Sequence, residues 1–425
     1  MVPINIADPG PPEAARYADP RRKVRALLSY ARTPLEESAT LRARHATDVA
    51  AGTRPFASRR IRALLSWLHL WVGLVAGLLF ALVGLSGTVL VFHHDLLQMQ
   101  HPQLWAPAAP GTDGKVLARL LEQWVPQGLT AIDLPRESLP VYQAYFSNEG
   151  RRYFDPGNGS LLLSRHPDND PLLWLHELHT ALLAGEAGHE LVGVIGWISV
   201  AMLLTGLYLW WPARGRMLAQ LRMYRGPPVR RWLTWHRGIG VLFVPLLMLA
   251  TLTGVGMIYH GGARWLLTSA FGGDDGPVVP QIATNGDRPP QWTRVLATAK
   301  TAMPEAEFTR LSPPRQGSDV IGIRARVPGE WHPNGRSFVF IDRSGERTLL
   351  AHDATTQRPG ARMTEAIYPL HIGVVGGPLY RWLTALVGLL PAFLLITGFL
   401  FWQRRRARRV DMSRSTGRPS TAPSA

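Results

Sequence analysis

Four long apolar segments constrain this chain more than any other feature. They run from about 67 to 93, 191 to 211, 238 to 259 and 379 to 402. A helix of about 20 residues crosses the hydrocarbon core of a bilayer, and each segment reaches that length. None carries an acid or base in its middle, and each is rich in Gly, Ser and Thr, which let helices pack closely in lipid. Trp67, Trp71, Trp210, Trp211, Trp382 and Trp402 stand at their ends, where aromatic side chains favour the membrane interface. The chain therefore reads as an α-helical membrane protein with four transmembrane helices.

Charge sets the expected orientation. Residues 1–68 hold 12 basic and 6 acidic residues, 212–237 hold 7 and none, and 403–425 hold 7 and 1. These three segments sum to +19 and the rest of the chain to −3, out of a formal net charge of +16. The positive-inside rule then places both termini and the middle loop in the cytoplasm. Basicity reports topology here, and nucleic acid is not an expected partner. Segment 1–60 is rich in Pro, Ala and Arg and lacks the apolar core of a signal peptide, so it reads as a disordered extension. The implied map is a basic extension over 1–60, the first span over 61–94, an outer domain over 95–175, and an interfacial segment with the second span over 176–211. A basic loop over 212–235, the third span over 236–260, a second outer domain over 261–365, an interfacial segment with the fourth span over 366–403, and a tail over 404–425 complete it.

The two halves repeat. A shift of 167 places His69 on His236, Gly73 on Gly240, Ser86-Gly87 on Thr253-Gly254 and His93 on His260. A shift of 192 places His179 on His371, Gly196 on Gly388 and Thr205-Gly206 on Thr397-Gly398. Both halves enter the membrane in the same direction, which predicts two parallel repeats of span, outer domain and span. Each outer loop carries a helix candidate (116–124; 294–303) followed by strand-like runs with Pro-Gly-Asn-Gly or Ser-Gly turns, the pattern of a small α+β domain.

The chain has no cysteine. Disulfides, thiolate-bound iron–sulfur clusters, zinc ribbons, thiol nucleophiles and covalent c-type haem are thereby excluded. The 14 histidines are the main supply of metal ligands. A haem needs two axial donors on opposite faces, and equivalent histidines from facing helices can supply them. His69 and His93 are separated by about 36 Å along a helix, so one haem cannot use both. His69 and His236 lie near the cytoplasmic edge; His93, His94, His179, His260 and His371 lie near the outer edge. Two sites, one at each face, are expected. Helical phase leaves the outer ligand of the first span open: His94 falls within about 20° of the face of His69, whereas the repeat favours His93. His45, His101, His166, His189, His332 and His352 read as ordinary surface residues. His176-Glu177-Leu178-His179 lacks the His-Glu-x-x-His spacing of a zinc protease, and no nucleotide-binding motif is present. An electron carrier built this way needs a separate donor.

Taken together, Trp67-Leu68-His69 with Ser86-Gly87, His179 with Thr205-Gly206 and Trp210, Trp235-His236 with Thr253-Gly254, and His371 with Thr397-Gly398 and Trp402 resemble the PepSY-associated transmembrane family, the iron-regulated membrane proteins. The resemblance covers roughly 60–405. It implies PepSY-like periplasmic domains, a bacterial inner-membrane location, and two b-type haems with bis-histidine ligation. It also implies that His69, His236, His179 and His371 bind haem iron, together with His93 and His260 in the family pattern. The implied activity is reduction of a ferric siderophore or other Fe(III) chelate, with electrons from a quinol or a cytoplasmic reductase. Two rival readings are a haem-free PepSY-type sensor or peptidase modulator, and a metal permease whose membrane histidines bind the cargo.

Overall fold

A computed structural model describes residues 56–107, 114–211, 217–274, 276–282 and 289–416. The expected disordered extension, apart from its last few residues, and the end of the tail lie outside the described residues. The chain divides into compact units at 1–64 and 65–425; only helical residues of the first are described, and the sheet and sites belong to the second.

In chain order, the first half comprises α1 (Phe56–Leu90), α2 (His93–Gln100), α3 (Lys115–Trp124), β1 (Leu129–Asp133), β2 (Tyr142–Phe146), β3 (Arg151–Phe154), β4 (Leu161–Arg165), α4 (Pro171–Ala181) and α5 (Gly185–Trp210). The second half comprises α6 (Pro228–Ile258), α7 (His260–Phe271), α8 (Trp292–Ala302), β5 (Glu307–Ser312), β6 (Val320–Arg326), β7 (Ser337–Asp342), β8 (Thr348–His352), α9 (Pro359–His371) and α10 (Gly377–Thr416). Helices α1, α5, α6 and α10 are long and apolar enough to cross a membrane.

Small residues set the helix crossings. A Cβ on Gly84 of α1 would lie 2.6 Å from the carbonyl oxygen of Gly388 on α10, and one on Gly388 would lie 2.7 Å from that of Gly84. The Thr88 hydroxyl donates across the same crossing to the Ala385 carbonyl at 3.0 Å. Helices α5 and α6 meet where Gly196 accepts the Val255 side chain. A side chain at Gly84 or Gly388 would drive the backbones apart, and one at Gly196 would have to displace Val255.

Two separate outer domains are expected from sequence, but the strands form one eight-stranded antiparallel sheet, ordered β4-β3-β2-β1-β5-β6-β7-β8. The halves join at β1 and β5, through Ile132 opposite Leu311 and Asp133 opposite Arg310. Each four-stranded half alone would leave an edge of unpaired amides and carbonyls; pairing the two edges satisfies both. One apolar core follows from the join. Leu117 and Leu121 of α3 and Val295 and Ala299 of α8 pack on Ile132, Ala144, Ile321, Ile323 and Val339. The alternate strand positions point to the opposite face of the sheet.

Candidate functional site

Two short helices bring histidines to the spans. In α4, Asp170 caps the first turn by accepting from the Leu172 and Leu173 amides, with Pro171 at the first helical position. The helix stops at Leu182 and Leu183, whose φ of 48° and 59° are costly for leucine. Gly188 sits against the Ala181 carbonyl, where a Cβ would be 1.7 Å away, so α5 can start within one turn of α4. The corresponding stop after α9 uses Gly373, at φ 79°, which tolerates this conformation.

Four imidazoles are held in one repeated way. His69 Nδ1 lies 3.1 Å from Thr205 Oγ1. His179 Nδ1 lies 2.9 Å from the Val83 carbonyl and 3.2 Å from Ser86 Oγ. His236 Nδ1 lies 2.9 Å from the Leu394 carbonyl and 3.3 Å from Thr397 Oγ1. His371 Nδ1 lies 3.1 Å from both the Ala250 carbonyl and Thr253 Oγ1. Each hydroxyl donates to its own helix: Thr205 to Met202, Ser86 to Val83, Thr397 to Phe393 and Thr253 to Leu249. Its hydrogen is then committed, and a carbonyl can only accept. The proton between ring and acceptor therefore belongs to Nδ1, and each Nε2 keeps a free lone pair.

The glycine after each hydroxyl makes room for the ring. A Cβ would approach His179 Cε1 to 2.8 Å at Gly87, His69 Cε1 to 3.1 Å at Gly206, His371 Cε1 to 3.1 Å at Gly254 and His236 Cε1 to 3.4 Å at Gly398. The Ser/Thr-Gly pairs seen in sequence are thus imidazole seats. Their partners lie on other helices: α1 seats His179, α5 seats His69, α6 seats His371 and α10 seats His236.

The four rings form two pairs. His69 and His236 have ring centres 6.3 Å apart with planes at 88°. His179 and His371 have ring centres 6.2 Å apart with planes at 42°. Two imidazole–metal bonds of about 2.0 Å, plus about 1.1 Å from each nitrogen to its ring centre, span about 6.2 Å. The spacing therefore fits one metal between each pair. Among the described residues, no group of three or more His, Cys, Asp or Glu side chains could hold a metal ion. Two axial donors alone suit an ion whose other ligands come from a planar macrocycle. Burial, with His179 close by, pushes His371 down to about 4, and burial also lowers His179. Both rings are neutral near pH 7, as ligation requires.

His93, His94 and His260 are elsewhere. Helix α1 ends at Leu90, so the helical phase argument does not extend to His93 and His94, which open α2. Their rings lie 4.0 Å apart, and His93 bonds the Leu90 carbonyl. His260 opens α7 and is exposed. No ring contact joins these three to His179 or His371 among the described residues. On the first span, the level of the sheet-side pair is marked by Ser86. It lies 17 residues from His69, or about 25 Å along the helix axis.

The sheet face opposite the apolar core was not singled out in sequence. Arg310 and Arg324 face each other across β5 and β6, and Asp133 stands opposite Arg310 on β1. His332, read from sequence as a surface residue, is 3% exposed. Its ring stacks on Tyr368, one turn before His371 on α9, with centres 5.0 Å apart. His332 lies in the connection between β6 and β7, where no periodic pattern marks burial, and its partner Tyr368 is 36 positions away.

A family model described as the PepSY-associated TM region matches residues 66–405. No curated protein matches the chain.

Proposed function

The chain belongs to the PepSY-associated TM family, and from that premise we propose a haem-dependent electron carrier of the bacterial inner membrane that reduces a ferric siderophore or similar Fe(III) chelate. The observation carrying this reading is the pair of facing histidines at each level, 6.3 Å and 6.2 Å between ring centres, with every Nδ1 committed as a donor. His69 with His236, and His179 with His371, would each hold one b-type haem. When bound, such a haem supplies reversible one-electron exchange between ferric and ferrous iron.

The residues of the chain do the rest. The acceptors at Nδ1 fix each ring's tautomer and orientation and raise the basicity of Nε2. The seat glycines let the ring lie against helix backbone without steric cost. Beside His371, Leu246, Leu249, Leu383 and Val387 line a narrow, mostly apolar cleft, with Tyr380 and Thr384 as its polar members. The arginines of the sheet stand beyond His371 and bring positive charge to that end of the path.

In this reading the basic segments face the cytoplasm, and a haem held by His69 and His236 would be the one reduced by a quinol or a cytoplasmic reductase. The sheet faces the periplasm as two PepSY-like halves, and the offsets of 167 and 192 that relate the four seats reflect a duplicated span–outer part–span unit. A haem held by His179 and His371 would supply the one-electron exchange that converts a bound Fe(III) chelate to Fe(II). Hard-oxygen chelators hold Fe(II) weakly, so the iron is released. A haem-free sensor or a permease gives no reason for four imidazoles seated alike and paired at ligation distance. The test is an absorption spectrum of the detergent-purified protein from haem-replete cells. A Soret band that shifts on dithionite addition supports the proposal, and a colourless protein refutes it.

A further inference from the structure

The sheet face turned towards α9 carries more positive charge than its protein partners balance. Strand register builds one row across it: Phe338, Arg324, Arg310, Asp133, Gln143 and Tyr153 are successive cross-strand neighbours. Arg310 and Arg324 are directly opposite, an arrangement that repels. Arg310 has a partner, because Nη2 donates to Asp133 at 3.1 Å and Nε also bonds that carboxylate. Arg136 leans on the same carboxylate at 3.7 Å. Arg336 pairs with Glu365 at 2.9 Å, and Glu365 is shared with Arg264 at 3.1 Å. Glu330 is committed to the Val327 and Arg336 amides and the Ser337 hydroxyl.

Arg324 is left over. Its guanidinium lies over the Phe338 ring at 5.4 Å, and its Nε is buried without a hydrogen-bond partner. Burial, with Arg336 and Arg310 close by, lowers it to about 10. Leaving a buried guanidinium N–H unsatisfied is costly, and five arginines (Arg136, Arg264, Arg310, Arg324 and Arg336) beside three carboxylates (Asp133, Glu330 and Glu365) increase that cost. His94, with its Nδ1 also buried and unpartnered, feels the charge of Arg136. The cluster meets α9 through His332 and Tyr368, one helical turn from His371.

We propose that Arg136, Arg310, Arg324 and Arg336 form a carboxylate-binding site at the sheet-side histidine pair, with Arg324 as its primary anchor. Planar guanidinium groups match carboxylate geometry, and a second anion would restore the missing balance. The carboxylates come from one of two sources: an incoming Fe(III) polycarboxylate chelate, or the propionates of a haem held by His179 and His371. The inference rests on the proposed function for the identity of these sources, while the anion site itself is tested without haem.

The test uses the full-length protein in nanodiscs. For wild type, the unfolding midpoint is followed in citrate and in sodium chloride of equal ionic strength, and ferric citrate binding is titrated by tryptophan quenching. Haem release to apomyoglobin is measured in parallel. The variants are R324Q, R136Q and the control R294Q, an exposed arginine on α8 across the sheet. If citrate raises the wild-type midpoint and R324Q or R136Q weakens ferric citrate binding at least about tenfold, the incoming chelate is the source. If haem release instead accelerates about tenfold in these variants and not in R294Q, the source is the propionates. Should citrate match chloride in wild type while haem release is the same in R324Q, R136Q and wild type, the proposal is overturned. R136Q lies in a connecting segment and keeps the test open if R324Q fails to fold. A colourless wild type would refute the haem reading alone, because the citrate arm still reports on the arginines.

Discussion

The two histidine pairs share a spacing and differ in almost everything around it. His69 and His236 sit within the spanning helices α1 and α6, their rings at 88°. His179 and His371 sit on the short helices α4 and α9 that precede spans, their rings at 42°. The sheet-side pair adjoins a positively charged sheet; the far pair has apolar spans around it. Under the proposed function the difference would divide the roles. Histidines within long spans would suit a site that only relays electrons, whereas histidines on short helices beneath a charged sheet would suit a site that meets a partner.

Removing a ligand should have the largest effect. His236→Ala and His371→Ala are each expected to lose about half the haem by pyridine haemochrome assay, and the double variant all of it. Equal loss of both haems in either single variant would mean that the pairs are not independent.

Next come the seats, which the structure grades. Gly87→Ala places a methyl 2.8 Å from His179 Cε1, whereas Gly398→Ala places one 3.4 Å from that of His236. We expect Gly87→Ala to deplete the sheet-side haem and Gly398→Ala to leave its site nearly unchanged in Soret intensity. If the order were reversed, the seats would not be steric.

The hydroxyls grade the same comparison more finely. His69 is held at Nδ1 by Thr205, whereas His371 keeps the Ala250 carbonyl if Thr253 is changed. Thr205→Val should weaken haem retention about tenfold, towards the lower end for the loss of such a partner, and Thr253→Val should do less. Haem-transfer rates measure both. In potential, the arginines should make the sheet-side site the easier to reduce, and Arg324→Gln should lower it by roughly tens of millivolts, the direction expected when a positive charge on that face is removed.

The smallest expected effect is on stability. His332 is pushed down to about 3 by burial and by Arg336, Arg324, Arg136 and Arg310, and it also stacks on Tyr368. A histidine depressed in the fold binds its proton more readily unfolded. The stability contributed by neutral His332 is therefore full above about 6.5 and is lost as pH falls towards 3. A His332→Gln variant should show a shallower decline in unfolding midpoint between pH 7 and 5 than wild type.

Much of this was legible in the sequence. Apolar length revealed the spans, and β2, β3, β4, β6, β7 and β8 announced themselves as strand-like runs around Pro-Gly-Asn-Gly and Ser-Gly turns. The histidines and the Ser/Thr-Gly pairs were visible at matching offsets. Which pair seats which histidine was not, because His179 meets Ser86 across 93 positions and His236 meets Thr397 across 161. Strands β1 and β5 (Leu-Thr-Ala-Ile-Asp and Glu-Phe-Thr-Arg-Leu-Ser) are short and carry charges, so their local pattern is weak. Their pairing joins two edges far apart in sequence, and it brings Asp133 and Arg136 up to the face that carries Arg310 and Arg324.

The most direct test of the central claim is the number of haems per chain in wild type, His236→Ala and His371→Ala, measured by pyridine haemochrome against quantitative amino-acid analysis. Two b-type haems in wild type and one in each variant are expected. A wild type without haem, or a His371→Ala protein that keeps both haems, would contradict paired histidine ligation.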